Sequence, residues 1–95
     1  MMLIYMYSIL PYSYQQAEKL GVSIIPSTHK RKKIDVYKGN KYICSIGALG
    51  MKDYPTYMKE KGSTYANERR KLYHLRHKKD NVIGMAGYYA LNILW

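Results

Sequence analysis

Polar and apolar positions alternate most clearly along IDVYKGNKYICSIG, residues 34–47. Two alternating runs flank Gly39-Asn40, a two-residue loop of the kind that closes β-hairpins in a primed turn. An uninterrupted ladder from that loop pairs Tyr37 with Tyr42, Val36 with Ile43 and Asp35 with Cys44. It sets Ile34, Val36 and Ile43 on one face. Tyr37, Tyr42, Cys44 and Ile46 share the other. Both faces are then partly apolar, so each is expected to be covered. A bare hairpin is marginal in water. VSII (22–25) or the apolar opening MMLIYMYSIL is the expected third strand.

Helical spacing governs the other segments. Ser13 followed by Gln16 matches a capping box, YQQAEKL reads as a short helix, and Gly21 suits its left-handed C-cap. STHKRKK (27–33) reads as a basic connector, and Gly47 and Gly50 as a loop. Asp53 is placed to cap a helix with Pro55 in its first turn and Gly62 at its end. Ser63 or Thr64 then caps a longer helix running to about Lys79, with Tyr65, Leu72 and Leu75 as its inward stripe. Asn81 to Gly87 reads as a turn-rich link. YYALNILW is a short apolar helix or an extended plug that ends on Trp95. The expected fold is α+β: a small antiparallel sheet around the 34–46 hairpin, packed with helices from residue 55 onward. Residues 1–12 read as an apolar arm, and 13–95 as one small basic domain. The opening apolar run is too short for a membrane span, which needs about 20 residues. It also lacks the basic start and cleavage site of a secretory signal.

Charge changes the picture more than hydropathy does. Sixteen Lys and Arg against six Asp and Glu give +10 in 95 residues. Lys19 and Glu18 cancel within residues 1–29, so the whole excess lies beyond them. Such a balance points to an anionic partner or to an assembly that neutralises it. The densest run is RRKLYHLRHKKD, residues 69–80. Arg69, Arg70, His74, Arg76 and Lys78 are expected on its outward arc. Twelve Tyr with no Phe favour half-buried positions and interfaces over a dry core. Tyr37 and Tyr42 suit either a base-stacking platform or packing beneath a helix.

Catalytic patterns are missing. Asp35, Asp53, Glu60 and Glu68 show no pairing that suggests acid–base work. GALG (47–50) is too short for a phosphate loop. Cys44 is the single cysteine, so zinc clusters and intramolecular disulfides are ruled out, and it reads as an inert strand residue. His74, His77 and Asp80 have spacing that could hold a metal. The flanking cations oppose that, and Asp80 reads as a capping or hydrogen-bonding residue. No cofactor and no small-molecule substrate are expected.

KKIDVYKGNKYICSIGALG, DYPTYMKEKG, RRKLYHLRHKKD and GYYALNILW, in that order, resemble small basic proteins encoded by large double-stranded DNA viruses, notably those infecting algae. The resemblance covers roughly residues 20–95. That family has no assigned reaction or cofactor. It tends to carry a basic residue where this chain has Asn81 and Pro where it has Ala86, so a looser turn near Met85 is expected. The resemblance implies a viral setting. The expected role is therefore a non-enzymatic minor structural protein in the capsid interior or elsewhere in the virion. Its partners would be other virion or capsid proteins and an anionic surface: nucleic-acid phosphates or an internal membrane. The alternative is a basic protein that compacts or escorts viral DNA in the infected cell. Expected partner-binding residues are Lys30, Arg31, Lys32, Lys33, Arg69, Arg70, Lys71, His74, Arg76, His77, Lys78 and Lys79. Leu3, Ile4, Tyr5, Tyr7 and Trp95 are the expected docking residues, with Trp95 read as an anchor either in the core or at an interface.

Overall fold

The computed structural model describes residues 7–95. Leu3, Ile4 and Tyr5 lie outside the described residues. Helix α1 (Pro11–Leu20) leads into strands β1 (Ser23–Pro26), β2 (Lys32–Lys38) and β3 (Lys41–Ala48). Helices α2 (Tyr54–Lys61) and α3 (Ser63–Arg76), a 3-10 turn (Lys78–Asp80) and α4 (Ala86–Ile93) follow. The sheet is antiparallel in the order β1-β2-β3. The α+β class and the third strand from residues 23–26 are as expected.

The hairpin loop falls at Gly39-Asn40 and Tyr37 pairs with Tyr42, but the ladder then slips. Val36 pairs with Cys44, Asp35 with Ser45 and Ile34 with Ile46, which leaves Ile43 as the extra residue of a bulge. Side chains alternate with period two, so a one-residue slip exchanges the faces of everything beyond it. Ile46 thereby joins Ile24, Ile34 and Val36 in the core. Ser45 moves beside Asp35 on the opposite face. That face is polar and open at Ile25 and Tyr42, not apolar and covered. Asp35 stays buried there because Ser27 and Ser45 hydroxyls each donate to its Oδ1 at 2.6 Å. Tyr42 is stacked on by His29 and meets Tyr37 edge-on, so it offers no free platform.

The strands also run further than expected. Lys32 and Lys33 belong to β2, and β3 continues through Gly47 to Ala48. Gly47 has φ 79°, and a Cβ there would stand 2.7 Å from Leu94 Cδ1 and 2.8 Å from Lys33 Cδ. Only glycine permits both that backbone and that approach.

Helix α1 begins at Pro11, so a boundary at residues 12/13 would cut it. Ser13 lies inside the helix and forms no capping box. Its hydroxyl donates to Ile93 O at 2.9 Å, and Gln16 Nε2 donates to Asn92 O at 3.1 Å. Tyr54 N–H donates to Leu94 O at 3.0 Å. The closing carbonyls of a helix have no partner within it. At α4 they are satisfied by α1 and by the start of α2. This fixes α4 so that Tyr89, Ile93, Leu94 and Trp95 enter the core cluster. Ser13→Ala leaves the buried Ile93 carbonyl without this donor. It is expected to cost about 1–3 kcal/mol in denaturant unfolding, with no change in helix content by circular dichroism.

Candidate anion-binding and docking surfaces

Lys33 was expected to meet an external anion. It is instead buried, and its Nζ lies 2.8 Å from Asp53 Oδ2. Tyr7, expected to dock on a partner, donates its hydroxyl to the same oxygen at 2.6 Å. Asp53 Oδ1 accepts from Thr56 N at 3.0 Å, which makes Asp53 the N-cap of α2, as its position suggested. Burial by itself would raise the Asp53 pKa. The hydrogen bonds from Lys33, Thr56 and Tyr7, together with the Lys33 charge, outweigh it and hold the carboxyl below its ordinary range. Burial, then the hydrogen bond to Asp53 and its charge, push the Tyr7 phenol far above its usual value.

Helix α3 turns differently from the expected stripe. Leu72 and Leu75 are 45% and 69% exposed, and Tyr65 is exposed too. The inward arc carries Ala66, Arg69, Arg70, Tyr73 and, at the C-cap, His77. Those positions follow i, i+3, i+4, i+7 and i+11 spacing. Arg70 lies 4.7 Å over the Tyr54 ring and Arg69 lies 5.7 Å over Tyr57. Both guanidiniums, expected outward, thus cover aromatic faces on α2. Tyr73 stacks on Trp95 at 4.2 Å and 6°, and on its other side His77 lies at 4.2 Å. Trp95 is 8% exposed and packs in the core cluster, so of its two expected anchoring roles it takes the internal one. Hydrophobicity alone favoured the leucines. The overlooked signal was small Ala66 in step with a run of planar side chains.

The α-helix stops at Arg76 instead of about Lys79. His77 Nδ1 lies 3.0 Å from Asp80 Oδ2, and Asp80 N–H donates to His77 O across the 3-10 turn. His77 and Asp80 therefore engage each other. His74 sits apart in a recess with Leu91, its Nε2 buried without a hydrogen-bond partner. Asp80 packs against Gly87, where a Cβ would stand 2.6 Å from the Asp80 carbonyl.

Two surfaces remain. One is the outward side of α3 and the turn after it: Lys71, Leu72, Leu75, Lys78 and Lys79 are all exposed. Val82, Ile83 and Met85 continue it with exposed apolar side chains. The other is a cleft of about 280 Å³ on the far side of α3, floored by Tyr57, Tyr73 and Trp95. Lys33, Lys52, Arg69, Arg76 and His77 stand around it. Lys30, Arg31 and Lys32 lie elsewhere, exposed at the β1–β2 turn and the start of β2. Cys44 is half-buried, and burial and then Asp35 raise its thiol pKa, which keeps it protonated. No helix among the described residues is long and apolar enough to cross a membrane. No protein-family profile, curated protein or solved structure matches the chain.

Asp53 generates two expectations. Asp53→Ala strands a buried ammonium and removes a helix cap, and should cost about 3–5 kcal/mol by chemical denaturation. A carboxyl whose folded pKa is depressed stabilises the fold fully above its unfolded value, near about 4, and loses that contribution as pH falls toward the folded pKa. The unfolded chain takes the proton first. Wild-type stability should therefore drop on acidification below that point, and the Asp53→Asn variant should drop less steeply.

Proposed function

We propose that this chain is a non-enzymatic minor structural protein of a large DNA virus particle, docking on an acidic surface of a neighbouring virion protein. The viral setting rests on the resemblance of residues 20–95. The docking mode rests on one observation: Leu72 and Leu75 stand exposed, three residues apart, with Lys71, Lys78 and Lys79 around them. Apolar side chains grouped on a surface mark sites of association. Phosphates gain nothing from leucine, whereas a protein partner covers the leucines and meets the cationic rim with acids. Arg69 and Arg70, half-buried against Tyr57 and Tyr54, face away from this contact, so its charge comes from the lysines.

The second reading, a DNA-binding protein, is supported by Lys30, Arg31 and Lys32, which add exposed charge away from this face. The two readings separate in one experiment on particles assembled with variant chains. Leu72→Glu with Leu75→Glu should change stability by only about 0.5 kcal/mol per site, since both side chains are exposed. The double variant should stay out of particles. Lys71, Lys78 and Lys79 replaced together by Gln should weaken incorporation and leave folding intact. Normal incorporation of the leucine variant sinks the protein-docking reading. A binding constant for duplex DNA that falls with salt by roughly one unit of slope per phosphate contact supports the second one.

A further inference from the structure

The cleft on the far side of α3 has a charge pattern of its own. Three of the five basic side chains around it already have acids. Lys33 pairs with Asp53, Lys52 with Glu60, and His77 with Asp80. Arg69 and Arg76 have no acidic partner among the described residues. Arg69 Nε is in addition buried without any hydrogen-bond acceptor. Buried donors in native proteins are nearly always satisfied, so a donor of this kind at the wall of a cleft points to a missing acceptor. The two arginines stand two helical turns apart, at i and i+7, on the same side of α3.

From this we infer that the cleft binds a small organic phosphate. Two uncompensated guanidiniums match the nearly doubly negative charge of a phosphate monoester at neutral pH. Their planar donor forks also suit phosphate oxygens. The volume of about 280 Å³ lies at the small end for ligand pockets, so the organic part is of sugar size. An aromatic base is disfavoured. Both faces of Tyr73 are taken, one by Trp95 and one by His77, which leaves no slot for a stacked ring. The carbon skeleton of the ligand is instead left to Tyr57 and Trp95, which also line the cleft. This site does not depend on the docking face, because Lys71, Leu72, Leu75 and Lys78 point the other way.

Trp95 is the only tryptophan, and it lines the cleft, so its emission reports occupancy directly. Ribose 5-phosphate, ribose and inorganic phosphate are titrated separately into the full chain. Ribose 5-phosphate should give a saturable change, ribose none, and inorganic phosphate a weaker one. Arg76→Gln should weaken the ribose 5-phosphate response by about tenfold or more, the loss expected for one charged hydrogen bond. Arg69→Gln should do the same. If that variant melts early, the exposed Arg76 carries the test alone. Equal responses to ribose and its phosphate, no saturable response, or an undiminished response in Arg76→Gln would each overturn the assignment. So would single-stranded DNA that changes the Trp95 emission and that ribose 5-phosphate cannot displace, which would make the cleft part of a nucleic-acid track.

Discussion

The Asp53 carboxylate is the point on which the fold turns. It receives a lysine from β2, a phenol from the segment before α1 and a backbone N–H from α2. Removing a carboxylate and an ammonium from water is expensive, and their attraction seldom does more than offset that cost. The pair therefore adds little net stability over an apolar substitute. What it does is exclude alternatives. Any packing that separates β2 from α2 leaves a buried charge alone, which makes wrong arrangements far worse than the right one. Residue 54 follows at once and donates its N–H to Leu94, so the same point also sets where α4 ends.

Local chemistry explains which elements were legible in the sequence. Gly39-Asn40 between alternating runs allowed one reading, and the hairpin formed there. Gly21, Pro55 and Gly62 punctuate helices through their own backbone preferences and Asp53 through its carboxylate, and all four do so in the structure. The failures share a different cause: partners distant in sequence. Ser13 followed by Gln16 looks like a capping box until Ile93 and Asn92 supply better acceptors. Lys33 looks solvated until Asp53 is brought to it. The bulge at Ile43 lets β3 place Ile46 inside and Ser45 beside Asp35, an advantage that the strand alone does not reveal.

Helix α3 shows how composition can mislead about orientation. Its leucines carry the most hydrophobic side chains, yet its buried side is built from arginines, a tyrosine and a histidine. Flat groups stack in layers. Arg70 on Tyr54, Arg69 on Tyr57 and the series His77–Tyr73–Trp95 give the helix a packed side made of planes. Guanidiniums are weakly hydrated and lie well on aromatic faces. The leucines are then free for the surface, and the helix divides into an apolar–lysine side and an arginine–aromatic side with separate uses.

The bonds from α1 to the end of α4 join residues about eighty positions apart. During synthesis the hairpin and α3 are made before Ile93, Leu94 and Trp95. Without those residues, Ile34, Val36 and Ile46 are covered only from the α1 side, and Tyr73 has no indole to lie against. A nascent chain that stops short of α4 thus leaves part of its apolar sheet face open, surface of the kind that invites capture by another chain.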